Sequence, residues 1–177
     1  MKPPLFKYED PRSLDGALAV LAENGDEVSI LSGGQSLMPL LNMRLARPEV
    51  LMDINRVSGI DGLRVTVDQV EVDTLVRARV LERDAGVRHR LPVIARALSF
   101  VGHPQIRART TVGGNIAHAD PSSELPGILA LLEGAVELTS SARGARWVGW
   151  DDFFVSVFMT ARESDELVTK VRFPVPH

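Results

Sequence analysis

Two glycine pairs are the residues whose type and spacing suggest chemistry: Ser32-Gly33-Gly34-Gln35-Ser36-Leu37, directly after the apolar residue Leu31, and Thr111-Val112-Gly113-Gly114-Asn115. A Gly-Gly pair between a strand and a helix lets the backbone take positive φ and approach a ligand with no Cβ in the way. Gln35, Ser36 and Leu37 fall where a first helical turn leaves N–H donors unpaired and carries a partial positive end, which suits a diphosphate without a lysine. Taken alone, Gly33-Gly34 also reads as an ordinary tight turn. It matches neither G-x-G-x-x-G nor G-x-x-x-x-G-K-[ST]. The second segment adds the compact hydrogen-bonding side chains of Thr111 and Asn115 to its glycines, and two such loops can grip one extended ligand.

Composition narrows the classes. The 177 residues are 45% hydrophobic and 24% charged, an ordinary globular balance that allows one core or two small lobes. A net charge of −3 with mixed signs argues against nucleic acid as a partner. No apolar run approaches the ~20 residues that span a bilayer, and the start lacks a signal segment, so a cytoplasmic protein without a membrane span is expected. With no cysteine, the chain offers no thiolate to zinc, to an iron–sulfur cluster or to nucleophilic catalysis. No histidine pair has metal-ligand spacing, and no metal site is expected.

The elements that must position the glycines follow from periodicity. Ser13 caps a helix through about Ala22 whose face carries Leu14, Ala17, Leu18 and Leu21, ended by Asn24-Gly25. Val28 to Leu31 and Val50 to Ile54 read as short buried strands in parallel pairing. Between them a helix with Ser36 as N-cap carries Leu37, Leu40, Leu41 and Leu45, closed by Pro48. A lobe boundary is expected near Asn55 to Gly59. Beyond it come a hairpin around Asp68-Gln69, helices over Thr74 to Arg83 and Leu91 to Phe100, and a break at Val101 to Gln105. After the second loop, a helix capped by Ser122 or Ser123 presents Leu125, Ile128, Leu129 and Leu132. Strands near Ala135 to Leu138, Arg146 to Trp150 and Leu167 to Phe173 complete the chain, with a helical turn at Asp151 to Phe154.

The runs S-G-G-Q-S-L-M-P-L-L-N-M-R-L-A-x-P, L-M-D-I-N and T-T-V-G-G-N-I-A-H-A-D-P-S-S-E-L-P resemble the FAD-binding subunits and domains of molybdenum hydroxylases, such as the carbon monoxide dehydrogenase and xanthine dehydrogenase types. The resemblance extends from Pro3-Pro4 to the final E-L-V-T-K-V-R-F-P. It implies an α+β, two-lobed FAD-binding fold of the vanillyl-alcohol oxidase (PCMH) type, with a small N-terminal βαβ lobe over about 1–57 and a larger α+β lobe over about 58–177. FAD would lie between them. Leu31, Ser32, Gly33, Gly34, Gln35, Ser36 and Leu37 would hold the diphosphate, and Thr111, Gly113, Gly114 and Asn115 would complete the cradle. Glu124 matches a position beside the flavin's polyol or ribose, and Leu167 one near the isoalloxazine. The family carries a further C-terminal domain of about a hundred residues, for which this sequence shows no counterpart. It also carries glycine where Ser156 stands here.

The activity so implied is that of an oxidoreductase flavoprotein subunit with no catalytic acid or base of its own. It passes electrons from a molybdenum-cofactor large subunit and a 2Fe–2S small subunit to an acceptor, in an assembly of such heteromers. The absent cysteines agree, because the clusters must then sit on a partner. Two other readings stay open: a truncated FAD- or nucleotide-binding module without catalysis, and a self-contained flavin oxidoreductase. Asp120 reads either as a cofactor contact or, with Pro121 and Ser122, as a turn. Asp53 reads as a turn-bonding residue, His103 and His118 as satisfying local backbone, and Trp147 and Trp150 as strand packing.

Overall fold

A computed structural model describes residues 2–176. The elements are β1 (Lys7–Glu9), α1 (Leu14–Asn24), β2 (Val28–Leu31), α2 (Leu37–Asn42), β3 (Val50–Asp53), β4 (Leu63–Val65), β5 (Gln69–Asp73), α3 (Ala78–Arg83), α4 (Ala85–Arg90), α5 (Pro92–Leu98), α6 (Pro104–Arg109), α7 (Val112–His118), α8 (Glu124–Leu131), β6 (Ala135–Ser140), β7 (Gly144–Gly149), α9 (Trp150–Phe153), β8 (Phe154–Ser156), β9 (Met159–Thr160) and β10 (Leu167–Pro174). The architecture is mixed helix and sheet, α+β, as expected. No helix among the described residues is long and apolar enough to cross a membrane.

The first third forms a three-stranded parallel sheet, β1-β3-β2, with Val28 opposite Val50 and Leu31 opposite Asp53. Helix α1 packs Ala17, Leu18 and Leu21 on it, together with Met52 and Ile54. Ser13 caps α1 by accepting the Gly16 amide at 3.1 Å, and Gly25 ends it at φ 53°. The remainder builds a five-stranded antiparallel sheet, β4-β5-β10-β6-β7, covered on one face by α3, α5, α7 and α8. Its core holds Val70, Val72, Leu81, Ile94, Ile116, Leu129, Val136 and Phe173. Leu75, in the turn after β5, and Leu167, at the start of β10, pack in the core of the parallel sheet, so the two units share side chains along a seam.

Several expected boundaries move, each for a local reason. The helix expected from Thr74 begins only at Ala78, because Thr74 and Leu75 form a turn closed by the Val76 amide on Asp73 O, and the carbonyls of Thr74 and Val76 accept backbone bonds from the second glycine segment. Asp84 then interrupts the run and caps the unexpected α4 by accepting the Val87 amide at 2.9 Å. The break at Val101 to Gln105 is shorter than expected: Pro104 stands at the start of α6, where its missing N–H costs nothing. Ser36 does not cap α2; it is already helical, and its side chain makes no cap bond. Leu45 lies past the end of α2 and is exposed, because Arg44 turns the chain at φ 59°. Ser123 occupies the N-cap of α8, but its side chain makes no capping bond. Trp150 opens α9 rather than closing a strand. Trp147, on β7, has the Arg172 guanidinium 4.4 Å over its ring. The hairpin β8–β9 was not anticipated and turns at Phe158, φ 57°.

Glu166 fixes the entry to β10 and is 1% exposed. Burial alone would raise its pKa, but Arg146 donates Nε and Nη2 to its two oxygens at 2.7 and 2.9 Å and the Glu163 amide donates at 2.9 Å, so the carboxyl is held below its ordinary value. A folded-state pKa that is depressed contributes stability above the unfolded carboxyl pKa of ~4.3 and loses it as pH falls through the folded value. In urea titrations across that acid range, Glu166→Gln is expected to be less stable than the parent at neutral pH and to show a flatter decline on acidification. An unchanged slope would mean the network contributes nothing to acid stability.

Candidate functional site

The two glycine segments meet. Strand β2 delivers Ser32 and Gly33 against the stretch Arg109 to Thr111, and the hydroxyls of Ser32 and Thr111 lie 3.0 Å apart. Backbone bonds pin the second segment to the one after β5: the Ala78 amide donates to Thr110 O at 2.9 Å, Val112 to Val76 O at 2.9 Å and Gly113 to Thr74 O at 3.1 Å. Asn55 donates to the Ser32 carbonyl at 2.8 Å, while Asp53 accepts both the Asn55 amide and the Tyr8 hydroxyl at 2.9 Å, the turn-bonding role expected of it.

Here the expected use of the glycines is corrected. Of the four, only Gly34 has positive φ, +70°. The other three are needed for contact between protein segments. A Cβ on Gly33 would stand 2.7 Å from the Arg109 carbonyl and 3.0 Å from the Thr111 amide. One on Gly113 would overlap Thr74, and one on Gly114 would lie 2.5 Å from Ser32 Oγ and 2.6 Å from Thr111 Oγ1. The second segment is also not a loop: it is the first turn of α7, capped by Thr111 Oγ1, which accepts the Gly114 amide at 3.1 Å.

The division of labour follows from where the amides go. Val112, Gly113, Gly114 and Asn115 all donate within the protein. Among the described residues, the consecutive amides of Gly33, Gly34, Gln35, Ser36 and Leu37 donate to nothing. Gln35 instead donates its side-chain amide to Gly33 O at 3.0 Å, bracing the turn. Five unpaired amides in a row form an acceptor-seeking concavity of the kind that binds phosphate oxygens.

That concavity opens into a cavity of about 510 Å³ between the two sheets. Ser32 to Leu37, Thr111, Gly113, Gly114, Asn115 and Leu167 line it, so eleven of the fourteen residues singled out in the sequence converge there. Leu31 faces a neighbouring cleft behind the first loop, with Asp53, Asn55 and Arg109. Asp120 and Glu124 are not among the lining residues. Asp120 accepts the Ser122 hydroxyl and amide at 2.7 and 2.8 Å, bonds that hold its carboxyl below the ordinary value, as in a simple turn. Asn115 Nδ2 donates to Ser123 Oγ at 3.3 Å, while its Oδ1 is buried without a partner. An unmet acceptor inside a polar cleft is costly unless a ligand donor meets it.

Sequence reading missed Val28, Ser29, Ile30, Thr74, Val168, Phe158 and Arg162, which also line the cavity. Val28, Ile30 and Val168 carried only a strand signal, and Arg162 no signal at all. His118 does line the cavity and stacks 5.1 Å from the Phe158 ring, whereas His103 lies at the start of α6 away from it.

A cleft of this size with an amide cradle, an orphaned side-chain acceptor and apolar walls defines a binder of an extended, diphosphate-bearing cofactor. Residues 4–176 match the family described as FAD binding domain in molybdopterin dehydrogenase, and the chain belongs to that family. It is 42% identical over 176 residues to caffeine dehydrogenase subunit beta of Pseudomonas sp. (strain CBB1), covering 99% of this chain and 60% of that protein. It is 36% identical over 174 residues to the carbon monoxide dehydrogenase medium chain of Hydrogenophaga pseudoflava, covering 98% and 60%. The solved carbon monoxide dehydrogenase from that organism superposes with a TM-score of 0.95 over 100% of this chain and 61% of its own, at 36% identity. The chain thus spans about three fifths of the length of these relatives. FAD is the cofactor of the family, and the residues present fit such a group: unpaired amides that can meet phosphate oxygens and a buried, unmet acceptor, Asn115 Oδ1, that can meet a ligand donor.

Thr111 holds both the α7 cap and the contact to Ser32. Thr111→Val, close in shape but lacking the hydroxyl, is expected to cost about 1 kcal/mol in chemical denaturation, the usual worth of a capping side chain. Thr111→Ser should recover most of it. Equal stability of the valine variant and the parent would rule out the hydroxyl as the clasp.

Proposed function

We propose that this chain is the FAD-binding electron-transfer component of a molybdenum hydroxylase-type dehydrogenase, an oxidoreductase subunit that works with a molybdenum-cofactor large subunit and a 2Fe–2S small subunit in the cytoplasm. The observation that carries the reading is the run of five unpaired amides from Gly33 to Leu37 facing the inter-sheet cavity. Bound there, FAD supplies the redox chemistry, accepting and passing on electrons. The protein's part is to hold it. The Gly33 to Leu37 amides would grip the diphosphate, with Ser32 and Leu31 setting the turn. Asn115 Oδ1 would accept from a polyol hydroxyl, and Thr111, Gly113 and Gly114 would form the wall on which the cofactor rests. Leu167 would pack on a ring of the cofactor, and Asp120 and Glu124 would lie at the rim.

The organisation proposed around the cofactor is the two-lobed vanillyl-alcohol oxidase type, with lobe one about 1–57 and lobe two about 58–177. The separate parallel and antiparallel sheets support that division. The partner assignment is supported by the relatives, which are named as a subunit and a medium chain of dehydrogenases. These 177 residues include no cysteine to ligate a cluster.

Desalted protein loaded with FAD is expected to keep flavin absorbance near one equivalent per chain, and Gly114→Val to lose it, because the larger side chain would push Ser32 and Thr111 apart. Co-purification with cysteine-rich and molybdenum-binding chains would support the complex. Flavin turnover by the isolated chain on a small substrate would support the self-contained oxidoreductase instead, and a failure to retain FAD would contradict the main reading.

A further inference from the structure

We propose that Arg162 binds the adenine ring of FAD, donating to a ring-nitrogen acceptor from the end of the cavity walled by core side chains. This inference rests on the FAD reading above. Among the described residues, Arg162 is the only arginine or lysine lining that cavity. Its Nη1 donates to the carbonyls of Glu163 and Glu166 at 3.0 and 2.8 Å, which fixes the guanidinium plane. Its Nε and Nη2 have no partner among the described residues, and the group forms no ion pair there. The nearby Glu166 carboxylate is already engaged by Arg146 Nε and Nη2. Burial pushes the guanidinium pKa down against the pull of Glu166, Asp26 and Asp165, the signature of a cation short of solvent and short of a close partner. Two unused donors on a fixed, partly buried fork call for an acceptor supplied by the ligand.

Position decides which part of the ligand that is. Arg162 is anchored beside Leu167, whose side chain packs with Ala17, Leu18 and the half-buried Val28 and Ile30, and it feels the charge of Asp26 just before β2. Strand β2 runs about 10 Å from Val28 to Leu31, at the ~3.3 Å rise of a strand, before the amide cradle begins at Gly33. The guanidinium therefore serves a ring and not the diphosphate. At this end Leu167 is 2% exposed and Val168 3%, so core side chains form its wall, whereas Phe158 beside His118 is 59% exposed. The ring that exchanges electrons with partner chains needs the exposed end, and adenine, which exchanges none, takes the walled one. Adenine offers ring-nitrogen acceptors to a donor-only guanidinium. Leu167 then lies beside adenine and not beside the isoalloxazine.

The test is fluorescence titration of FAD into apoprotein, with competition by ADP and by FMN, for the parent, Arg162→Leu and Arg162→Lys at two ionic strengths. Arg162→Leu is expected to weaken FAD and ADP by the same factor, about tenfold or more, with FMN unchanged and the salt dependence of FAD binding unaltered. Arg162→Lys, which keeps the charge and loses the fork, should recover only part. Circular dichroism and thermal melting of each variant check that it folds; should Arg162→Leu not fold, the ADP-to-FMN ratio in Arg162→Lys carries the same test. Weakened FMN, or a reduced salt slope, would place the guanidinium on the flavin or the phosphates and overturn the proposal. Unchanged FAD and ADP affinities would do so as well. Parent protein that fails to bind FAD would overturn the FAD reading itself, an outcome distinct from any difference between variants.

Discussion

The structure turns on one close approach: the backbone at Gly33 lies against Arg109 to Thr111, and the hydroxyls of Ser32 and Thr111 meet at 3.0 Å. Side chains cannot be interposed there. Gly33, Gly113 and Gly114 are each required because a Cβ would collide with a neighbouring segment, and two of those collisions are with backbone, which cannot swing aside. The contact joins the parallel sheet to the antiparallel one at the same level as the cavity. The two glycine segments that line the cavity take their positions from it.

That joint also explains how the amides are used. Because Thr74 to Val76 and Thr111 satisfy the donors of Val112 to Asn115, α7 can begin abruptly at the joint without stranding polar groups. Because Gly34 takes φ +70°, the first loop turns its next amides outward, with no carbonyl in reach. One segment is thus consumed in building the wall and the other is left hungry for an acceptor. The asymmetry is chemically economical for a cofactor with a single diphosphate: one cradle suffices, and the second glycine pair keeps the cradle's floor within reach.

Much of this was legible in the sequence, and the limits are instructive. Strands Val28–Leu31 and Val50–Asp53 and the Ser13-capped helix followed from local periodicity and capping chemistry, and they appear with the boundaries expected or within a few residues. The convergence of the two glycine segments was legible as composition, but their division of roles was not. Whether a glycine is present for its φ or for its missing Cβ depends on what lies across from it, and Gly113 faces Thr74, 39 positions away in the chain. The late start of α3 has the same origin: Thr74 to Arg77 carry helical spacing, yet a turn at Thr74 and Leu75 and a bridge from Arg77 to Thr111 keep them out of the helix. Arg162 shows the hardest case. Its fixed fork depends on carbonyls at Glu163 and Glu166 that only the turn into β10 brings together.

If FAD is held across this joint, its binding must report on both sheets at once. Thermal unfolding followed with increasing FAD is the direct measurement, since a ligand that binds only the folded state raises the midpoint with the logarithm of its free concentration. A single transition that moves upward as FAD is added is the predicted result. A midpoint indifferent to FAD, or two separate transitions of which only one responds, would contradict a cofactor site built from both.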